Sequence, residues 1–144
     1  MSLVFLVGID CSQCSDRALD YAAQRASAQD ARLIVAHVVE WSPYTFSTPQ
    51  ENEQRHMRRE EELERAHAEV VDPIVQRLRE QGVNAEGMVR HGHAATTLNS
   101  IAEEIEATNI VIGRKGTSRL KLVLFGSVVS NLVQIVKVPV TVVP

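Results

Sequence analysis

Apolar residues fall along this chain in two alternating rhythms. Residues 3–9, LVFLVGI, and 33–39, LIVAHVV, are almost wholly apolar, as strands covered on both faces of a sheet are. Between them Ala18, Leu19, Ala22, Ala23 and Ala26 recur at helical spacing, a stripe of small residues able to pack closely on a sheet. Residues 40–54, EWSPYTFSTPQENEQ, break the pattern with two prolines and three aromatics, and read as a long surface loop, the segment best placed to move. Leu63, Ala66, Val70, Ile74, Val75 and Leu78 then mark the buried stripe of a charged helix, which Pro73 should kink or split near Asp72 and Gly82 should stop. Residues 83–90 form a more polar strand suited to a sheet edge, and Leu98, Ile101, Ala102 and Ile105 define the next helix. Residues 109–113 and 139–143 complete the strands, with a helix over about 126–136 between them. Five strands alternating with four helices predict an α/β fold built on a parallel sheet wrapped in helices.

Length and charge narrow the classes. A chain of 144 residues is one domain's worth, and residues 1–144 are read as a single domain. A formal net charge of -3 gives no global attraction to nucleic acid or to an anionic membrane. The longest apolar run is too short to cross a bilayer, and the start lacks the pattern of a secretory leader, so a cytoplasmic protein without membrane insertion is expected. Both cysteines, Cys11 and Cys14, stand in VGIDCSQCSDRAL at the spacing of a reactive dithiol, just after a strand.

The chemistry of an open α/β sheet gathers at the carboxyl ends of its strands, where strand order reverses. Two segments qualify: the end of the first strand, with Asp10 and Ser12, and the end of the fourth, IVIGRKGTSRLKLVLFGSVVSNL. In the second, Gly113, Gly116 and Gly126 lead from strand to helix, and a helix starting at Gly126–Ser127 offers amide donors and a favourable dipole to phosphate. Arg114, Lys115, Arg119 and Lys121 add local positive charge. Neither a Walker A loop nor G-x-G-x-x-G is present.

The spacing Gly-x2-Gly-x9-Gly-Ser (Gly113, Gly116, Gly126, Ser127), with VGIDCSQCS after the first strand and AHV in the second, resembles the ATP-binding branch of the universal stress proteins over essentially the whole chain. The resemblance implies an open, Rossmann-like parallel sheet in the order 3-2-1-4-5, with helices on both faces and ATP at the reversal between strands one and four. It implies that Asp10 faces the ribose and phosphates or a Mg²⁺ through water, and that the Val38 backbone meets adenine. Gly113 and Gly116 would form the ribose and phosphate loop, and Gly126 with Ser127 the turn that holds phosphate. Gly8, Ile9, Ile112, Arg114 and Val128 flank these positions and complete the implied site for ATP, ADP or AMP. The chain departs from the usual pattern at Ala94, at Asn109 and at Val129, where relatives often have Pro, Asp and Ser or Thr. The last of these removes one possible hydroxyl contact.

The resemblance implies the pattern Asp-x-Ser-x-x-Ser here (Asp10, Ser12, Ser15), with Cys11 and Cys14 at its variable positions, which favours reduced thiols beside the pocket over a redox pair. His91 and His93 are two apart at a strand end, too few ligands for a metal site. His37 reads as a hydrogen-bonded core histidine, and His56 and His67 as solvent-facing. No nucleophile backed by a base stands out, so a nucleotide-dependent stress regulator with an unidentified protein partner is expected, with slow hydrolysis or self-phosphorylation as the enzymatic variant. A thiol redox protein using Cys11 and Cys14 and a nucleotide-free, chaperone-like module are the alternatives. The last strand, VPVTVV, is apolar on both faces and uncharged, which with the resemblance implies a homodimer paired along it, Thr141 near the axis.

Overall fold

The computed structural model describes residues 2–40, 48–115 and 126–144. Strands β1 (Val4–Ile9), β2 (Arg32–Glu40), β3 (Asn84–Gly92), β4 (Asn109–Gly113) and β5 (Val140–Val143) form one sheet in the order β3-β2-β1-β4-β5. Every neighbouring pair is parallel. The order reverses between β1 and β4, as the sequence reading expects, and the polar strand β3 is an edge. All six residues of β1 are buried, because helices cover both of its faces. Phe5, Val7 and Ile9 join α1 (Gln13–Ala28) and α3 (Asp72–Glu80) in one core, through Leu19, Ala22, Val75 and Leu78. Val4 and Leu6 join α4 (Ala94–Glu104) and α5 (Ser127–Ile135) in the other, through Leu98, Ile101, Val129 and Leu132.

One segment differs from expectation. The segment 40–54 is not loop throughout: Glu40 still belongs to β2 and α2 (Pro49–Ala66) begins at Pro49. Residues 41–47 lie outside the described residues. The helix starts early because Thr48, Pro49 and Glu51 form a capping box. The Thr48 hydroxyl accepts from the Glu51 N–H at 3.1 Å, the Glu51 carboxylate accepts from the Thr48 N–H at 3.1 Å, and Pro49 needs no donor in the first turn.

Pro73 splits the helix near Asp72, as expected, and α3 starts there. The missing proline donor is absorbed by a π-helical turn, His67–Val71, whose Asp72 N–H returns to the His67 carbonyl, and α3 continues from there. The widened turn drives Val71 fully into the core over Gly87 of β3, where an added Cβ would overlap the Val71 side chain. Gly82, at φ 87°, closes α3 as expected, with the Val83 N–H on the Leu78 carbonyl at 3.0 Å. On the outer face Arg90 of β3 meets Glu104 at the end of α4 at 2.8 Å, and the guanidinium holds that carboxyl below the usual carboxylate range.

Candidate functional site

At the strand reversal the carboxyl ends of β1, β2 and β4 and the first turns of α4 and α5 enclose a cavity of about 530 Å³. Of the expected site residues, Gly8, Ile9 and Asp10 reach it from β1, Val38 from β2, Ile112 and Gly113 from β4, and Gly126, Ser127 and Val128 from the start of α5. Arg114 is not in the cavity wall. Its side chain is exposed, and its backbone is a clasp: the N–H donates to the Val143 carbonyl at 2.7 Å and the carbonyl accepts from the Gly126 N–H at 2.9 Å. That clasp sets where α5 starts. Gly116, Arg119 and Lys121 lie outside the described residues.

The turn after β1 is held by its own short side chains. The Asp10 N–H donates to the Ser15 hydroxyl at 3.0 Å, the Ser12 N–H to the Asp10 carboxylate at 3.0 Å, and the Ser15 N–H to the Ser12 hydroxyl at 3.1 Å. These bonds cap α1 and leave Cys11 at φ 65°, a left-handed conformation uncommon for a side-chain-bearing residue. They also fix the Asp10 carboxylate at the cavity wall, with one oxygen tied to the Ser12 amide.

Three helix starts near the cavity are built differently. α1 is closed by Ser12. α5 begins at Gly126, which has no side chain to cap it, and α4 begins at His93 without a side-chain cap. The Ser130 N–H already finds the Gly126 carbonyl at 3.1 Å, and among the described residues the amides of Ser127, Val128 and Val129, three residues of the cavity wall, have no partner. Unpaired amides at the positive end of a helix suit an anion, and Lys115 stands on the same side of the cavity.

The opposite end is less charged. Ala36 and Val38 of β2 with Ala94 and Leu98 of α4 make an apolar slot on the α4 face of the sheet, and His37 and Glu40 also line the cavity. Sequence reasoning did not assign Ser15, Ala36, His37, Val39, Glu40, Ala94 or Leu98 to the site. Position was the available signal for β2: residues Ala36 to Glu40 close the strand at the sheet's open end, where the site was expected. His37 is half-buried and hydrogen-bonded as expected, its Nδ1 2.9 Å from the Ile9 carbonyl, but it belongs to the cavity wall rather than to the core. A second, shallower cavity of about 450 Å³ adjoins along α4 and α5.

The remaining candidates fall elsewhere. His91 packs under α2, with Nε2 3.2 Å from the Arg59 carbonyl, while His93 is exposed at the start of α4. Among the described residues no three His, Cys, Asp or Glu side chains gather as a metal-holding group. Cys11 is exposed and Cys14 half-buried, both as free thiols, and Arg17 donates to the Cys14 sulfur at 3.2 Å. His67 is exposed beside Asp72 at 2.7 Å, and His56 beside Glu60 at 3.1 Å.

Strand order, open helix start and cavity at the reversal define an α/β protein of the switch-point class. The chain belongs to the universal stress protein family, whose sequence profile matches residues 1–144. It is 32% identical over 147 residues to Universal stress protein YxiE of Bacillus subtilis (strain 168), with 96% of each chain covered. Mycobacterial universal stress proteins also match, and the chain spans about half of their length, 47% in that of Mycolicibacterium smegmatis. Among solved structures it resembles the universal stress protein UspA from Lactobacillus plantarum, at 26% identity and a TM-score of 0.82 over 99% of this chain and 97% of that one. Two structures sharing the fold hold adenine nucleotides. One is a universal stress protein in complex with cAMP, at 24% identity and a TM-score of 0.66 over 99% and 96% of the chains. The other, from Archaeoglobus fulgidus, is in complex with dAMP, at 17% identity and a TM-score of 0.63 over 100% and 98%. No described helix is long and apolar enough to cross a membrane.

Proposed function

We propose that this chain binds an adenine nucleotide, ATP with Mg²⁺ foremost, in the strand-reversal cavity, and works as a nucleotide-dependent regulator of the stress response rather than as a fast enzyme. The observation that carries the reading is the start of α5, which has no side-chain cap and whose first three residues line the cavity together with Lys115. An anion belongs there, and the apolar slot between β2 and α4 lies where a planar base would follow. Strands are spaced by about 4.8 Å, so β2 and β4 stand about 10 Å apart, a distance a nucleotide spans from base to phosphate. The cAMP and dAMP complexes of proteins with this fold support adenine as the base.

Asp10 suits a magnesium ion held mostly by phosphate and water. It is a single carboxylate oriented by the Ser12 amide, and Mg²⁺ commonly takes one or two protein carboxylates and keeps several waters. The ion would neutralise phosphate charge. The unidentified protein partner is taken to read the base end of the cavity, where β2 ends at Glu40. Calorimetry with ATP and Mg²⁺ tests the reading: the wild type is expected to bind and Gly126→Val to lose binding, because its side chain would stand where phosphate approaches the α5 amides. Unchanged affinity in that variant would sink the assignment.

A further inference from the structure

We infer that Cys14 and Cys11 are a pair oxidised by peroxide, in which Cys14 is the attacking sulfur, Arg17 is the positioning residue that holds a cation on it, and Cys11 closes the disulfide. The pair is then a modification site beside the cavity, independent of the nucleotide reading, and not the centre of a thiol oxidoreductase.

The sequence pattern alone favours two reduced, inert thiols, but it does not contain the contact that Arg17 makes. Cys14 is the second residue of α1, directly inside the positive end of the helix and behind its cap, Ser12. One turn on, the Arg17 guanidinium donates to the Cys14 sulfur at 3.2 Å through Nη2 and to the Pro144 carbonyl at 2.7 Å through Nε. The second bond anchors the fork, so an exposed side chain that would otherwise turn freely stays on the sulfur. A cysteine attacks as its thiolate, and reactive cysteines lie in partly exposed, electropositive surroundings of this kind. Cys14 is half-buried and free, which leaves it open to a small oxidant. Cys11 is exposed and free, and among the described residues its sulfur meets no hydrogen-bond donor. The two thiols therefore have different parts to play.

Hydrogen peroxide is the oxidant. The Cys14 thiolate attacks one peroxide oxygen and the O–O bond breaks, leaving a sulfenic acid on Cys14 and a hydroxide that takes up the proton Cys14 lost. The Cys11 sulfur then attacks the Cys14 sulfur. The S–S bond forms, the S–O bond breaks, and the departing hydroxide takes the Cys11 proton. Two thiols are oxidised to one disulfide while one peroxide is reduced to two waters. The bridge would enclose only Ser12 and Gln13, at the spacing and helix start where redox dithiols close.

The test treats the whole reduced chain with hydrogen peroxide and follows its thiols by mass spectrometry. Wild type is expected to lose two hydrogens and to yield Cys11 and Cys14 bridged within one chain, a bridge that dithiothreitol opens. Cys11→Ser is expected to stop at the sulfenic acid on Cys14, trapped there by dimedone, whereas Cys14→Ser is expected to leave Cys11 as the thiol at the same dose. Arg17→Gln is expected to slow the oxidation of Cys14 about tenfold, the worth of a hydrogen bond to a charged group. Arg17→Lys restores the cation without the guanidinium's two-pronged hold and is expected to recover most of the rate, which separates the charge on the sulfur from the bond to Pro144. Arg17→Gln oxidised as fast as wild type, a rate that Arg17→Lys does not recover, a sulfenic acid trapped on Cys11 in Cys14→Ser, or a bridge found only between chains would each overturn the inference. None of these outcomes bears on whether the cavity binds a nucleotide.

Discussion

At Cys11 the backbone turns left-handed, with φ at 65°, to bring Asp10 and Ser15 into their mutual hydrogen bond. Such a conformation costs a side-chain-bearing residue roughly 1–2 kcal/mol, and the exposed thiol recovers none of it by packing. Cys11→Gly is therefore expected to stabilise the protein by about 0.5–1 kcal/mol, after the extra freedom glycine gives the unfolded chain. Thermal melting should show a rise of about 2 °C, with ATP affinity within a few-fold of wild type. A fall in melting temperature would show that the thiol makes a contact that outweighs the strain, and would reopen the dithiol alternative. Gly113 is the reverse case. Its place in the glycine pattern was legible, it lines the cavity, and the packing adds a second need for glycine there. An added Cβ would stand 2.7 Å from the Cys14 carbonyl carbon and 2.8 Å from its Cβ, so the glycine lets β4 lie against the first turn of α1. Gly113→Ala must push a helix backbone off a central strand, and a loss of about 1–3 kcal/mol is expected in urea unfolding. One residue's spacing pattern does not reveal which neighbour it makes room for.

The helix starts show how a local signal can be read or missed. Ser12 three residues before Ser15 was visible as part of a motif, and it caps α1. Thr48-Pro49-x-Glu51 was equally visible as a capping box, yet the prolines and aromatics around it favoured a loop, and composition was the weaker guide. Pro73 signalled an interruption near Asp72 but not its form, a π turn. It depends on Val71 finding the space over Gly87 across the sheet, a tertiary contact that periodicity along one helix does not contain. The missing cap of α5 is the element that matters for function, because glycine at a cap leaves donors for a ligand that a cap side chain would take. Gly126→Asp should therefore separate stability from binding. Aspartate can cap α5 and complement its dipole, raising stability by a few tenths of a kcal/mol. The same carboxylate would occupy the amides and repel phosphate, so ATP affinity should fall by at least about a hundredfold. Melting and calorimetry on one preparation check both signs. A variant that binds ATP as well as wild type would mean that the α5 amides hold no phosphate.

For the whole molecule, the alternation of apolar strands and amphipathic helices carried the layer architecture, and the family resemblance carried the strand order, which no single element encodes. What remained illegible was the polarity of the strand ends, since that depends on which side chains share one edge of the folded sheet. Assembly is a question at this same scale. β5 is an edge whose four residues are each half-buried. Val140 and Val142 pack toward the α4 and α5 core and Val143 toward the α1 core, so a lysine at any of these sites would damage the fold as well as an interface. The backbone offers a cleaner test. The Ile110 N–H bonds to the Pro139 carbonyl at 3.0 Å and the Arg114 N–H to the Val143 carbonyl at 2.7 Å. With a strand's period of two, the odd-numbered residues of β5 face β4, and the amides of Val140 and Val142 point outward along the open edge. An exposed, uncharged edge of this kind is a template for a second copy, paired around a two-fold axis. Val142→Pro removes an outward donor, keeps the β4 ladder, and places proline where an edge strand tolerates it. Sedimentation velocity at micromolar concentration is expected to show a wild-type dimer and a Val142→Pro monomer with little change in melting temperature. A monomeric wild type, or a variant that remains as dimeric as wild type, would remove this edge as the seam.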